Sequence, residues 1–161
     1  MATMIPDFNK TQLSEIESRA EVKVYEALEQ GLPDDYYVFS QVAWILKNEN
    51  QQAKDGETDF VICHPNYGYL CIEVKGGGIM FEAVSEEWFS IDHLNQKNSI
   101  KDPIDQAKKA KYSILGKLKE NLSWIAQGNR RINIGHAVFF PDIKDATEFI
   151  RPDIDLSLIH I

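Results

Sequence analysis

The sequence predicts an α+β (mixed α/β) fold in which helices flank a mixed central β-sheet, and three observations carry that expectation. Two short runs, residues 58–63 and 69–75, are apolar on both faces, the pattern of central strands covered from both sides. Apolar residues recur at helical spacing before them, over residues 11–30, and again after them, from Asp102 to about Asn121. A last apolar run, residues 132–140, follows the second helical pattern.

Each element has local reasons. In the first helix Leu13, Ile16, Ala20, Val24, Ala27 and Leu28 form the apolar stripe, with Glu21 at its edge. Ser14 with Glu17 offers a capping box, and Thr11 or Asn9 are alternative caps. Gly31 ends the run before Pro33. Residues 36–46 are rich in aromatic and β-branched side chains and read as a strand, followed by a polar loop over residues 47–56. His64-Pro-Asn-Tyr-Gly68 reads as the turn between the two central strands. Gly76-Gly-Gly78 ends the second of these, suited equally to close approach by a ligand or to a hinge. Residues 79–91 hold a further strand or hairpin around Trp88, and residues 92–101 a polar loop. Asp102-Pro103 is a strong helix start, with aspartate as N-cap and proline at the first helical position. That helix is expected to bury Ala107, Ile114, Leu115 and Leu118. A turn at Gln127–Arg130 leads into the final strand, stopped by Pro141.

A chain of 161 residues suits one domain with a real core, and 43% hydrophobic with 26% charged residues is ordinary for a globular protein. No stretch approaches the roughly 20 apolar residues of a membrane span. No basic segment followed by an apolar one marks a secretory signal, so a cytoplasmic location without membrane contact is expected. In such a compartment Cys63 and Cys71 are expected to be buried free thiols. The net charge of −8 argues against coating nucleic acid by bulk electrostatics, although local charge matters more for an enzyme. Six of the 17 basic residues (Lys101, Lys108, Lys109, Lys111, Lys117, Lys119) lie within 19 positions, either a solvated helix face or a surface for phosphate. The chain ends on the apolar run Asp153-Ile-Asp-Leu-Ser-Leu-Ile-His-Ile161 with no polar tail, an end that suits a cut or a cloning scar in a single domain and leaves a longer native protein open.

The chemistry concentrates in Asp59, Glu73 and Lys75. Strand side chains alternate faces, so Glu73 and Lys75 point the same way. If Cys63 and Tyr69 close the turn as a pair, Val61 faces Cys71 and Asp59 faces Glu73, with Cβ atoms about 4.5–5.5 Å apart. Two carboxylates that close repel unless a proton or cation intervenes. An oxygen-rich pair beside a lysine suits a hard divalent cation such as Mg²⁺, and the set is a phosphodiester-cleavage constellation. The bland alternative is that Lys75 pairs with one acid at a solvated strand end. None of the four histidines has a partner at metal-ligand or triad spacing, and neither a nucleophile elbow nor a phosphate-binding P-loop is present.

Ala20-Glu21 on the first helix, Asp59 before a strand, Glu73-Val-Lys75 ending the next, Trp88, and Asp102-Pro-Ile-Asp-Gln106 opening a lysine-bearing helix resemble the nuclease-related domain, NERD, of the PD-(D/E)XK nuclease superfamily. The resemblance spans about residues 14–140 and implies a restriction-endonuclease-like core and a nuclease acting on DNA. It implies that Asp59, Glu73 and the Val74 carbonyl hold Mg²⁺ or Mn²⁺, and that Glu21 completes or water-bridges the metal shell. Lys75 would orient or help deprotonate the attacking water, and Gln106 would align the site or a phosphate. Lys101, Lys108, Lys109 and Lys111 are the expected nucleic-acid contacts. Two points stay open: Ala20 stands where the family often has glycine, and Glu57 competes with Asp59 as ligand. The rival expectation is a non-catalytic module that binds nucleic acid or a partner beside a helicase or other DNA-processing domain.

Overall fold

The computed structural model describes residues 1–47, 53–92, 94–126 and 131–144. The expected turn at residues 127–130, the chain end from residue 145, His93 and His160 lie outside the described residues.

Five strands make the central sheet in the order β1-β2-β3-β4-β8: β1 (Thr3–Ile5), β2 (Tyr37–Lys47), β3 (Ala53–His64), β4 (Gly68–Val74) and β8 (Ile134–Phe139). The outer pairs, β1 with β2 and β4 with β8, are parallel, and the inner pairs are antiparallel. A second, antiparallel sheet is built from β5 (Gly78–Glu82), β6 (Glu87–Ile91) and β7 (Lys97–Ile100). The helices are α1 (Lys10–Glu15), α2 (Arg19–Gly31), α3 (Pro103–Glu120) and α4 (Leu122–Ala126). The result is the mixed, helix-flanked α+β fold of a restriction-endonuclease-like core. No helix among the described residues is long and apolar enough to cross a membrane.

Alternation on β3 and β4 sorts the two faces. Phe60, Ile62, Ile72 and Val74 pack with Ala20, Val24, Tyr25 and Leu28 of α2. Val61, Tyr69 and Cys71 pack with Ala110 of α3, joined by Ile114, Leu115 and Leu118. Both central strands are therefore covered on each side, the reason their sequences lack polar alternation. Trp88 of β6, 1% exposed, seats the small sheet against Ile104 and Phe140.

The β3–β4 register follows the expected pairs, Cys63 with Tyr69 and Val61 with Cys71. His64 pins the turn that sets it. Its Nδ1 accepts from the Asn66 and Tyr67 N–H groups at 3.0 and 3.3 Å, which leaves Nε2 to donate to Asp35 at 2.7 Å.

Four expectations are corrected. The first helix is two, because Asn9 and Gln12 form a capping box for α1 and Ser18 caps α2 through the Glu21 N–H. Ile16 between them is extended, and Ser14 bonds back to Thr11 O rather than capping anything. On α2 Tyr25, whose hydroxyl donates to Pro6 O and accepts from the Phe8 N–H, is buried with Ala20, Val24 and Leu28, while Ala27 is exposed. The expected polar loop 47–56 is cut short at both ends, since β2 runs to Lys47 and β3 starts at Ala53. Residues 97–100, also expected in a loop, form β7 on β6.

Candidate active site

Asp59 stands in the middle of β3, and both its flanking ladders are interrupted there. On the β2 side Ser40 pairs with Phe60 and Val42 with Thr58, but Gln41, between them, adopts φ +52° and drops out of the pairing. On the β4 side the last pair is Phe60 with Ile72. Side chains replace the missing main-chain bonds: Thr58 Oγ1 donates to Ile72 O at 3.1 Å, and the Val74 N–H donates to Asp59 Oδ2 at 2.6 Å. The residue expected to face Glu73 thus grips the main chain immediately after it.

Glu73 is 4% exposed at the end of β4, and Lys75 Nζ donates to its Oε1 at 2.7 Å. The shared direction of Glu73 and Lys75, expected from strand alternation, is realised in this bond. Burial makes ionisation of both acids unfavourable. The Asp59 carboxyl is pushed up to about 7, first by burial and then by the Glu73 charge, with Glu21 adding to it. The Val74 N–H and Lys75 act in the opposite direction. Glu73 is also raised by burial, with Lys75 offsetting part of the effect and Glu57 and Glu21 adding to it. Lys75 therefore favours the charged form of Glu73, against the burial that raises it.

The remaining expected residues are placed as follows. Glu21 lies in the first turn of α2 and faces a cavity of about 600 Å³ with Ser18, Ile16 and Gln41, within electrostatic reach of both acids. Ala20 packs against the glycine after Lys75: a Cβ on Gly76 would fall 2.6 Å from the Ala20 Cβ, so one methyl is accommodated by the absence of the other. Glu57 is exposed, whereas Asp59 is half-buried and bonded to β4. Gln106 is half-buried in the first turns of α3, below the Asp102 cap, with no described hydrogen bond from its side chain to the acids or Lys75. Lys101, Lys108 and Lys109 are exposed, Lys109 pairing with Asp105. Lys111 departs from that set. It is 9% exposed, its Nζ lies 2.9 Å from His136 Nδ1, and it faces inward because its position on α3 adjoins Ala107 and Ala110 on the packed side. Lys111 is thus a buried contact between α3 and β8, unlike the exposed lysines expected beside it.

Both cysteines are free, Cys71 buried and Cys63 only half-buried, and burial raises both thiols, Cys71 to about 12, which disfavours the reactive thiolate. Two residues that organise the site carry no sequence signal: Gln41, whose left-handed backbone opens the β2 ladder, and Asp142, which reaches Gly77 from beyond β8.

The span of chain that holds this site matches a known family in sequence comparison. A family model described as the nuclease-related domain, NERD, matches residues 16–141, a span that contains every element from α2 to β8. Neither a curated protein nor a solved structure gives a match. The chain belongs to the nuclease-related domain family, whose general context is the PD-(D/E)XK nuclease superfamily.

Proposed function

We propose that this protein is a Mg²⁺- or Mn²⁺-dependent nuclease that hydrolyses DNA phosphodiester bonds at the end of β4. The observation that carries the reading is a half-buried Asp59 and a buried Glu73, both disfavoured as anions, with a lysine 2.7 Å from the second. Such a site is poorly arranged for stability alone and well arranged for a cation.

The residues fit a hard divalent ion. Asp59, Glu73 and the Val74 carbonyl are all oxygen donors, and a cation between the acids would relieve the repulsion that raises Asp59. Among the described residues no three His, Cys, Asp or Glu side chains form a ready cage. Mg²⁺ is commonly held by one or two carboxylates with several waters, so the short donor set favours it over a structural metal. Glu21 would reach such an ion directly or through water. Bound there, the ion would neutralise charge building on the phosphate and acidify a water.

The chain's own residues do the rest. Hydrolysis joins a water oxygen to phosphorus, breaks the bond to the leaving sugar oxygen and moves a proton from water to that oxygen. Lys75 orients the attacking water and assists removal of its proton, and it adds positive charge beside the non-bridging oxygens. Gln106, near the amino end of α3, aligns a phosphate there. Lys101, Lys108 and Lys109 guide the flanking backbone. Cleavage of a labelled DNA by wild type, Asp59→Ala and Lys75→Ala tests this assignment, and equal metal-dependent rates in all three would end it.

A second reading has one observation in its favour. The Lys75–Glu73 ion pair also satisfies a purely structural role, and with a net charge of −8 the chain would then serve as an accessory module of a larger DNA-processing protein, such as one carrying a helicase. DNA or partner binding that persists in EDTA, with no cleavage, would favour it.

A further inference from the structure

Three glycines, Gly76–Gly78, follow Lys75, a stretch with no side chain to restrain its backbone. Two anchors fix it. The Lys75 N–H donates to Phe139 O at 3.0 Å, extending the β4–β8 ladder by one bond. The next anchor is a side chain: the Gly77 N–H donates to Asp142 Oδ2 at 2.8 Å, with Gly77 in the left-handed region at φ +76°. The other oxygen of the same carboxylate forms an ion pair with Lys23 of α2. Lys23 stands two residues beyond Glu21, and the Ala20 methyl abuts Gly76. A single carboxylate from the turn after β8 therefore ties the helix that carries Glu21 to the strand end that carries Glu73 and Lys75. The Gly77 N–H, and then Lys23, hold the Asp142 carboxyl below the usual carboxylate range, so the clamp is charged at neutral pH.

We infer that Asp142 is a positioning residue of the candidate active site, fixing the Lys75 ammonium relative to Glu21 without touching a reacting atom. The inference rests on the nuclease reading above. Anchoring Gly77 fixes the peptides that follow Lys75, and with its N–H also held, the direction in which the lysine side chain leaves the strand is set. The clamp contributes little to folding, because Lys23 and Asp142 are 57% and 29% exposed and surface ion pairs stabilise weakly. Its role in catalysis is thereby separable from stability.

The test is steady-state cleavage of a fluorophore-labelled DNA oligonucleotide in Mg²⁺ by the full chain, together with amide exchange at Gly77 in EDTA. Asp142→Ala is expected to lower kcat on the order of tenfold or more, since small misplacements of catalytic groups cost that much. KM should stay within about twofold and the melting temperature close to wild type, as expected for a loss confined to the transition state. Asp142→Asn, whose side-chain oxygen still accepts from Gly77 but whose NH2 cannot accept from Lys23, should recover only part of kcat. Exchange at Gly77 should accelerate in the alanine variant only. Wild-type kcat in Asp142→Ala, or unchanged exchange at Gly77 in that variant, would each overturn the role of Asp142. A wild-type protein that cuts no DNA would instead overturn the nuclease reading, and this catalytic role with it.

Discussion

Replacing Asp59 by asparagine should stabilise the metal-free protein, and the size of the gain should depend on pH in a defined direction. The Asp59 carboxyl stands at about 7 in the folded chain against an ordinary value of 3.8. Because the folded value is raised, the folded state holds the proton more tightly than the unfolded one. The stability associated with that proton is fully present below about pH 3.8, declines as pH rises and is lost once pH passes about 7. A difference of about three pKa units, at 1.36 kcal/mol each, sets a ceiling of about 4 kcal/mol at pH 8, and about 1 kcal/mol of it is already lost at pH 4.5. Asparagine carries no charge to bury, and its side-chain oxygen can still accept from the Val74 N–H. The advantage of Asp59→Asn over wild type in EDTA should thus grow from about 1 kcal/mol at pH 4.5 toward about 4 kcal/mol at pH 8. Urea denaturation at the two pH values measures it. In melting temperature the pH 8 gain corresponds to roughly 8–16 °C for a chain of this size. An equal advantage at both pH values, or a more stable wild type at pH 8, would show that the burial and like-charge argument for Asp59 is wrong.

Lys75→Met removes the partner of a buried carboxylate, and should destabilise the metal-free protein by about 3 kcal/mol at pH 8. The loss should shrink as pH falls, because burial already raises the Glu73 carboxyl and a protonated Glu73 needs no cation; chemical denaturation across pH would show it. Lys111→Ala should cost about 2–3 kcal/mol of stability through its buried contact with His136, with DNA affinity unchanged in the folded fraction. A loss of affinity at full stability would return Lys111 to the phosphate-binding set. Gly76→Ala should destabilise by about 1–3 kcal/mol, because the new methyl overlaps Ala20, and Ala20→Gly should relieve most of that in the double variant. Additive losses in thermal melts would refute the contact.

Much of this geometry was legible in the sequence because it is local. The Cys63–Tyr69 closure follows from a short turn, and strand alternation then carries Glu73 and Lys75 to one side. Asp102-Pro103 announces its helix through cap chemistry that tertiary contacts did not override. What escaped depends on distant partners or on competing local bonds. Strand β1 has three residues, too few for a pattern, and is defined by its pairing with β2, more than 30 residues away. Strand β7, Lys97–Ile100, is an exposed edge with no apolar alternation to mark it. The apolar spacing of Leu13, Ile16 and Ala20 suits one helix, yet the caps at Asn9 and Ser18 divide it. Lys111 reads as one more charge on a lysine-rich helix, and its partner His136 is 25 residues away. Asp142 is 65 residues from Gly77 and 119 from Lys23, beyond any pattern that periodicity detects.

The most direct test of the central claim is incubation of the purified chain with supercoiled plasmid and linear single-stranded DNA, in Mg²⁺, in Mn²⁺ and in EDTA, beside Lys75→Ala. The account predicts cleavage that requires the divalent ion and disappears in the variant. Cleavage that survives EDTA or the loss of Lys75, or intact DNA in every condition, would contradict it.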